Sequence, residues 1–481
     1  MTLTVAMTTT TQAPRATSRT LGFSAVLAMS VMELLDSTVV SVAAPTIRED
    51  LGGTYSLMQW LSVGYTLAMA ALLLVGGRLG DVVGRRRMML IGVTGFTAAS
   101  VVCAIAWTPD VLLVGRLLQG AAAALMIPQA FGLIRDMFPP ADVPKALAAL
   151  GPVMGIGALL GPVVGGILVE ADLFGTGWRA IFLINVPIGL AALAVARRHI
   201  PAVAPTAPGT RIDIIGALIA AAGAALLIFP LVQGAEHGWP SYSLPMIAVA
   251  ALLFAVFGRR QVRLVRAGRS PLVQPSIFRH RAYVAGAGFA VCFLAAMGAL
   301  FTIGVMLQIG LGFSPLTSCL VMAPWALGAA VGSGVSGALM AKHGRRILHV
   351  GLVLMAAGIL GLTAVYQLAG TDLGFLDLLP AVTVGGFGMG MIFVPLYDII
   401  LAGVDAGEMG SATGVLKSID QIGTTMGVAV LGTVFFLTLG PAPTPELALH
   451  AGTVTAFGAV ALLVVAFGIG FLLPKHARPH H

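Results

Sequence analysis

The sequence predicts an all-α polytopic membrane protein of about fourteen spans, and three observations carry that prediction. The 481 residues are 58% hydrophobic and only 10% charged, with mean hydropathy +0.98; a soluble protein of this size needs far more charge on its surface. Apolar runs of about 18 residues or more recur from end to end, each long enough to cross a hydrocarbon core of about 30 Å. The cations cluster in short segments beside those runs, as the positive-inside rule requires, so the net charge of +8 argues for a membrane surface rather than nucleic acid.

Taken in order, the predicted spans are 21–45, 57–77, 87–107, 110–137, 145–170, 179–199, 212–235, 243–259, 282–309, 315–341, 347–369, 374–402, 409–438 and 450–473. The eighth is short for a spanning helix. Residues 1–20 are Thr-rich, carry Arg15 and Arg19, and lack the apolar core and cleavage site of a secretory signal; they read as a disordered tail. Of the 27 Lys and Arg, Arg48 and Arg179 fall on one side, Arg116 and Lys417 fall within spans, and the remaining 23 fall on the side of the N-terminus. Both termini are therefore expected in the cytoplasm of a plasma-membrane protein. The cysteines Cys103, Cys292 and Cys319 all lie in spans and suggest packing rather than a disulfide or metal site.

The chain repeats itself. "GGRLGDVVGRRRMML" follows the second span and "SGALMAKHGRRILHV" closes the tenth, each a small residue and glycine, an apolar step, then Gly-Arg-Arg at the edge of the membrane. Two related halves follow from this, about 21–200 and 282–473, as in transporters built from structural repeats. Between them, 201–281 is a linker with two additional spans and a basic loop; 474–481 is a terminal tail.

Glu33 and Asp36 stand one turn apart in the first span, on one helix face. Each costs roughly 2.5–3.5 kcal/mol at a bilayer centre, against about 0.3–0.6 returned by a Leu or Val. Two carboxylates so close in a low-dielectric cavity resist ionising together, which suits an exchange of one proton for a lipophilic cation; tethering to Arg116 or to backbone, with no coupling role, is the plainer reading. For Arg116, snorkelling toward the membrane edge and pairing with a first-span acid both account for a buried guanidinium, and pairing is the sharper. Gln119, almost a turn on, can hydrogen-bond across the same interface. In the fifth span Gly157, Gly161 and Gly165 recur every four residues and clear one helix face for a close neighbour, while Pro162 permits a bend. Asp81 lies near a helix N-terminus, where an anion is favoured, and Arg85, Arg86 and Arg87 suit an anionic leaflet.

In the second half, Lys417 and Asp420 are three residues apart and either neutralise each other or shape a cavity for an anionic or zwitterionic compound. Asp398 falls in the last turns of the twelfth span. Met389 and Met391 lie beside Phe387 and Phe393, and flexible thioethers with aromatics suit varied apolar ligands, although packing accounts for any single one.

Taken together, "LDSTVVSVAAPTI", "GGRLGDVVGRRR", "LLVGRLLQGAAAALMIPQA", "GPVMGIGALLGPVVGGIL" and "WRAIFLINVPIG" resemble the major facilitator superfamily, specifically its fourteen-span drug:proton antiporter branch, over nearly the whole chain. Ser41 and Ala44 depart from that branch's usual Asn and Leu. The resemblance implies the major facilitator fold, two six-helix bundles plus two additional central helices. It also implies a proton-linked role for Asp36; from the residues themselves Glu33 and Arg116 are expected to share in that coupling and Glu33 to face the substrate, with Gln119, Met389, Phe393 and Asp420 as the other candidate substrate contacts. Gly77, Gly80, Asp81, Gly84 and Arg85 are expected to gate one face through contacts between halves. Gly157, Gly161, Pro162, Gly165 and Gly166 are expected to form a hinge that keeps the central cavity from leaking.

The expected function is a proton-coupled antiporter that exports hydrophobic drugs or antibiotics by alternating access. A proton-linked importer on the same fold is one alternative, opposed by the fifth-span motif; a non-transporting membrane sensor or binding protein is another, opposed by paired in-membrane acids in a duplicated chain. No Gly-rich phosphate loop followed by Lys and Ser/Thr occurs, so no ATP coupling is expected. No nucleophile elbow or zinc spacing suggests an enzyme, and the final "KHARPHH" is too short and irregular for a metal site. No cofactor is expected. The expected partners are a lipophilic small molecule, protons and the bilayer, with the chain a monomer.

Overall fold

The computed structural model describes residues 16–139, 141–237, 240–370, 373–401, 404 and 408–475. The expected disorder of residues 1–15 and the "HARPHH" end lie outside these. The described residues form fourteen long helices: α1 (Ala16–Leu51), α2 (Tyr55–Val83), α3 (Arg85–Ala104), α4 (Pro109–Met137), α5 (Val143–Glu170), α6 (Gly177–His199) and α7 (Ile214–His237), then α8 (Ser243–Arg266), α9 (Arg281–Gly310), α10 (Pro315–His343), α11 (Arg346–Ala369), α12 (Phe375–Leu401), α13 (Met409–Leu439) and α14 (Pro445–Gly470). No strand occurs among the described residues. Over those residues thirteen helices are long and apolar enough to cross a bilayer, and α5, at 28 residues, takes the remaining place.

The expectations change at helix ends: α1 runs on to Leu51 and α2 to Val83, each six residues past the expected stop. Residues 16–20 belong to α1 rather than to a disordered tail. The eighth helix, expected to stop at 259, continues to Arg266, because Arg259, Arg260, Arg263 and Arg266 extend a good helical sequence while their heads reach polar surroundings.

Local sequence sets the helix starts at the end of the molecule opposite the arginine-rich segments. α4, α10 and α14 each begin with a hydroxyl followed by proline: Thr108-Pro109, Ser314-Pro315 and Thr444-Pro445. Each hydroxyl accepts from the backbone N–H three residues on, at 3.4, 3.2 and 3.3 Å. The proline occupies a first-turn position that needs no N–H. At the arginine-rich end, α2 passes to α3 through Gly84 alone, at φ 108° and ψ 130°, a region open in practice only to glycine.

The helices pack with two-fold internal symmetry. α1 lies on α5 and α6, α2 and α3 on α4, and α3 on α6. In the second half α9 lies on α13 and α14, α10 and α11 on α12, and α11 on α14. The halves meet through α2 on α13 and α5 on α10, two contacts exchanged by the same symmetry. Small residues bring the axes together: a methyl added at Gly92 would stand 2.9 Å from the Met126 nitrogen, and one at Gly388 2.6 Å from the Gly351 carbonyl oxygen. α7 seats in the groove between α2 and α13, straddling both halves, whereas α8 rests mainly on α7 and presents most of its surface outward.

Candidate functional site

Five helices of the first half converge on one buried ion pair. Arg116 of α4 and Asp36 of α1 lie 2.5 Å apart with both side chains fully buried. The Arg116 Nε donates to the Leu61 carbonyl of α2 at 2.9 Å, and the same Nη1 that meets Asp36 donates to Gln119 Oε1 at 2.9 Å. Gln119 Nε2 donates to Asp36 Oδ1 at 3.0 Å and to the Ser100 hydroxyl of α3 at 2.8 Å. Asn185 Nδ2 of α6 completes the shell at 2.7 Å from Asp36 Oδ1. The free face of the guanidinium lies over the Tyr65 ring, 4.4 Å from its centroid. Asp36 thus has a cation and two amide donors, the full compensation that a buried carboxylate requires.

Glu33, one turn earlier, has none of this. Its single described hydrogen bond comes from the Tyr65 hydroxyl at 3.0 Å, and its residue is 8% exposed. Tyr65 therefore joins the two acids while holding them to different chemistry: ring against the cation that serves Asp36, hydroxyl on Glu33. The residues expected to act as a matched pair share a helix face but not an environment.

A second cluster stands in the other half. Asp420 of α13 accepts a short hydrogen bond from the Tyr397 hydroxyl of α12, and Lys417 reaches Asp420 at 3.4 Å and the Tyr397 oxygen at 3.3 Å. Phe393 sits edge-on to Phe293 of α9 at 5.7 Å and over Tyr397 at 6.5 Å. Met389 is turned from this row toward Trp325, whose indole N–H meets its sulfur at 3.2 Å. Lys417 lies within electrostatic reach of Glu33, so the second cluster stands near the first across the boundary between the halves.

The candidate gating residues form two groups. Arg85 pairs with Asp136 of α4 at 3.1 Å and with Asp81 at 3.5 Å. Asp81 also receives the Thr206 hydroxyl at 3.2 Å and, on its carbonyl, the Ala207 N–H at 2.9 Å. These described partners lie in the first half and in the loop leaving it, not in the second half. Gly80 leaves room for the Gln129 amide, which donates to the Gly76 carbonyl at 2.8 Å, and Gly77 passes Pro128 of the same helix. In α5, Gly157, Gly161 and Gly165 face Leu34, Thr38 and Val39 of α1, while Gly166 faces α10, where an added methyl would stand 2.8 Å from the Leu316 Cα. The helix runs unbroken through Pro162. This glycine face joins the acid-bearing helix to the opposite half.

Sequence reasoning missed Tyr65, Ser100, Asn185 and Tyr397. The signal for Asn185 was present, a lone amide inside "AIFLINVPIGL"; Ser100 gave none, since a serine hydroxyl in a helix can satisfy itself on the preceding turn, and the two tyrosines are indistinguishable in sequence from aromatics that only pack. Among the described residues no group of three His, Cys, Asp or Glu is placed to hold a metal.

Residues 26–428 match the Major Facilitator Superfamily. The chain is 47% identical over 418 residues to a probable actinorhodin transporter of Streptomyces coelicolor, covering 86% of this chain and 72% of that one. It is 33% identical to a puromycin resistance protein of Streptomyces alboniger, covering 94% and 90%, and 31% identical to a multidrug efflux pump of Mycolicibacterium smegmatis, covering 85% and 80%. A crystal structure of a peptide transporter in complex with sulfate superposes with TM-score 0.67 at 16% identity, over 94% of this chain and 95% of that one. Two symmetric six-helix bundles and a match of this extent make the protein a member of the major facilitator superfamily.

Proposed function

We propose that the protein is a proton-coupled antiporter that exports hydrophobic drugs or antibiotics across the cell membrane by alternating access. It works as a monomeric carrier, not an enzyme, and draws on the proton gradient rather than ATP. Both termini lie in the cytoplasm, and the bundles 21–200 and 282–473 rock about the α2–α13 and α5–α10 seams. One observation carries the reading: of two acids on the same helix face, Asp36 is fully partnered and Glu33 is not. Asp36 holds Arg116 and keeps α1, α4 and α6 in register. Glu33 is left to take a proton or a cationic cargo, one at a time, because either alone neutralises it. Each proton entering contributes roughly 2.3 kcal/mol per 100 mV of membrane potential, beyond the pH term. Names among the relatives, for actinorhodin, puromycin and multidrug efflux, support a bulky aromatic or lipophilic cargo.

The test is cargo-induced proton release from purified protein, read across a panel of drugs. Wild type is expected to release protons on binding cationic members of the panel. Glu33→Gln should abolish release while the protein stays folded; Asp36→Asn should lose stability first. Full release from Glu33→Gln would end the proposal.

A further inference from the structure

Lys417 has no part in the exchange just described, yet it stands beside it. It lies eight residues into α13, about 12 Å from the start of the helix at 1.5 Å per residue, deep for an ammonium. Its side chain is nevertheless 42% exposed. Two observations set it toward the interior: it stands over the Tyr397 ring at 5.0 Å, and it lies within electrostatic reach of the buried Glu33 of the other half. Neutralising Asp420 does not exhaust it. Asp420 already takes the Tyr397 hydroxyl, and the lysine's contacts, at 3.3 and 3.4 Å, are long for an ammonium with three donors. Beside it runs a partly open aromatic row, Tyr397 and Phe393 backed by Phe293.

We propose that Lys417, Tyr397 and Phe393 form a subsite for an acidic group on a flat aromatic cargo, and that the preferred cargo is amphoteric: an ammonium for Glu33 and a carboxylate or phenolate for Lys417. This rests on the antiport reading of Glu33. A cargo carrying only an anion would hold the proton on Glu33 instead of exchanging with it. A cargo carrying only a cation would leave Lys417 facing its positive end. An amphoteric aromatic meets both poles and changes the net charge of the cavity no more than the proton it replaces.

The experiment uses the full chain in proteoliposomes under an imposed proton gradient, with norfloxacin as the amphoteric probe and its methyl ester, which masks the acid on the same rings, as the cationic one. Wild type is expected to prefer norfloxacin. Lys417→Gln should lower that preference about tenfold, the worth of one charge-assisted contact, and Lys417→Arg should retain most of it. Equal losses for both probes in Lys417→Gln, recovered together in Lys417→Gln/Asp420→Asn, would assign the lysine to charge balance and overturn the proposal. Wild type that moves the ester but not norfloxacin also overturns it while leaving the antiport reading intact. Wild type that moves neither sinks both.

Discussion

Arg116 and Glu33 carry similar formal costs in a membrane, but their surroundings assign them opposite roles in stability. Removing the guanidinium leaves Asp36 buried with two neutral amides and no cation, and breaking a buried pair from one side costs about 3–5 kcal/mol. Arg116→Gln is therefore expected to lower the melting temperature in detergent sharply. Glu33→Gln keeps an acceptor for the Tyr65 hydroxyl and should melt close to wild type. Equal melting of the two variants would remove the distinction between the acids on which the coupling scheme stands. At this scale the sequence is informative where a charge is concerned, because a buried charge must find a partner. Arg116 therefore pointed to a first-span acid. Which acid it chose depended on Gln119, Asn185 and Ser100, neutral groups whose partners cannot be read from an apolar run.

At the level of helices, hydropathy is a good guide to existence and a poor one to ends. The eighth helix shows why: its arginines lower hydropathy after residue 258 but leave helix propensity intact, so α8 continues to Arg266. That extension matters, because it carries Arg260 and Gln261 to Asp213, just before α7. Arg260 meets the carboxylate at 2.7 Å, Gln261 at 3.0 Å and the Gly216 N–H at 3.0 Å. Gln261 also receives the Leu272 N–H of the linker at 2.8 Å. Burial alone would raise the Asp213 pKa, but the Arg260, Gly216 and Gln261 hydrogen bonds hold it below the ordinary carboxylate range. A lowered folded value means that the stabilisation is complete above the unfolded pKa of about 3.9 and is lost as the pH falls through the folded one. Asp213→Asn should thus cost roughly 1.5–3 kcal/mol at pH 7, with the gap from wild type closing below about pH 4. Thermal melts of both proteins in steps from pH 7 down to pH 2 check this; a gap that does not narrow as the acid limit is approached means the carboxylate's charge is not what fastens α7 to α8.

For the whole molecule, the described bonds between halves lie toward the end away from the arginines, with Thr425 donating to Thr66 at 2.7 Å nearer the middle. Gln59 of α2 donates to the Val428 and Ala429 carbonyls of α13 at 3.1 and 3.3 Å. Gln308 of α9 donates to the Val42 carbonyl of α1 at 3.1 Å, and Ser314 to Glu170 at 2.9 Å. Tyr55 stacks on Phe436 at 4.9 Å. Asp81 and Arg85 at the opposite end find their described partners within the first half and its exit loop. The duplicated Gly-Arg-Arg segments made two halves legible in the sequence, but which end is clasped is a property of one conformation and leaves no mark in composition. Taking the forked Gln59 contact as one bond, each buried amide contributes about 0.5–1.5 kcal/mol, so losing both side chains shifts an opening equilibrium by roughly 5- to 150-fold. Spin labels at Leu173→Cys and Ala442→Cys, one on a loop of each half and both exposed, report the separation in a chain whose native cysteines are replaced. In Gln59→Ala/Gln308→Ala the distance distribution should gain a longer component at the expense of the short one. An unchanged distribution would mean that α2–α13 and α5–α10 packing alone closes this end, with the buried amides serving only to satisfy themselves.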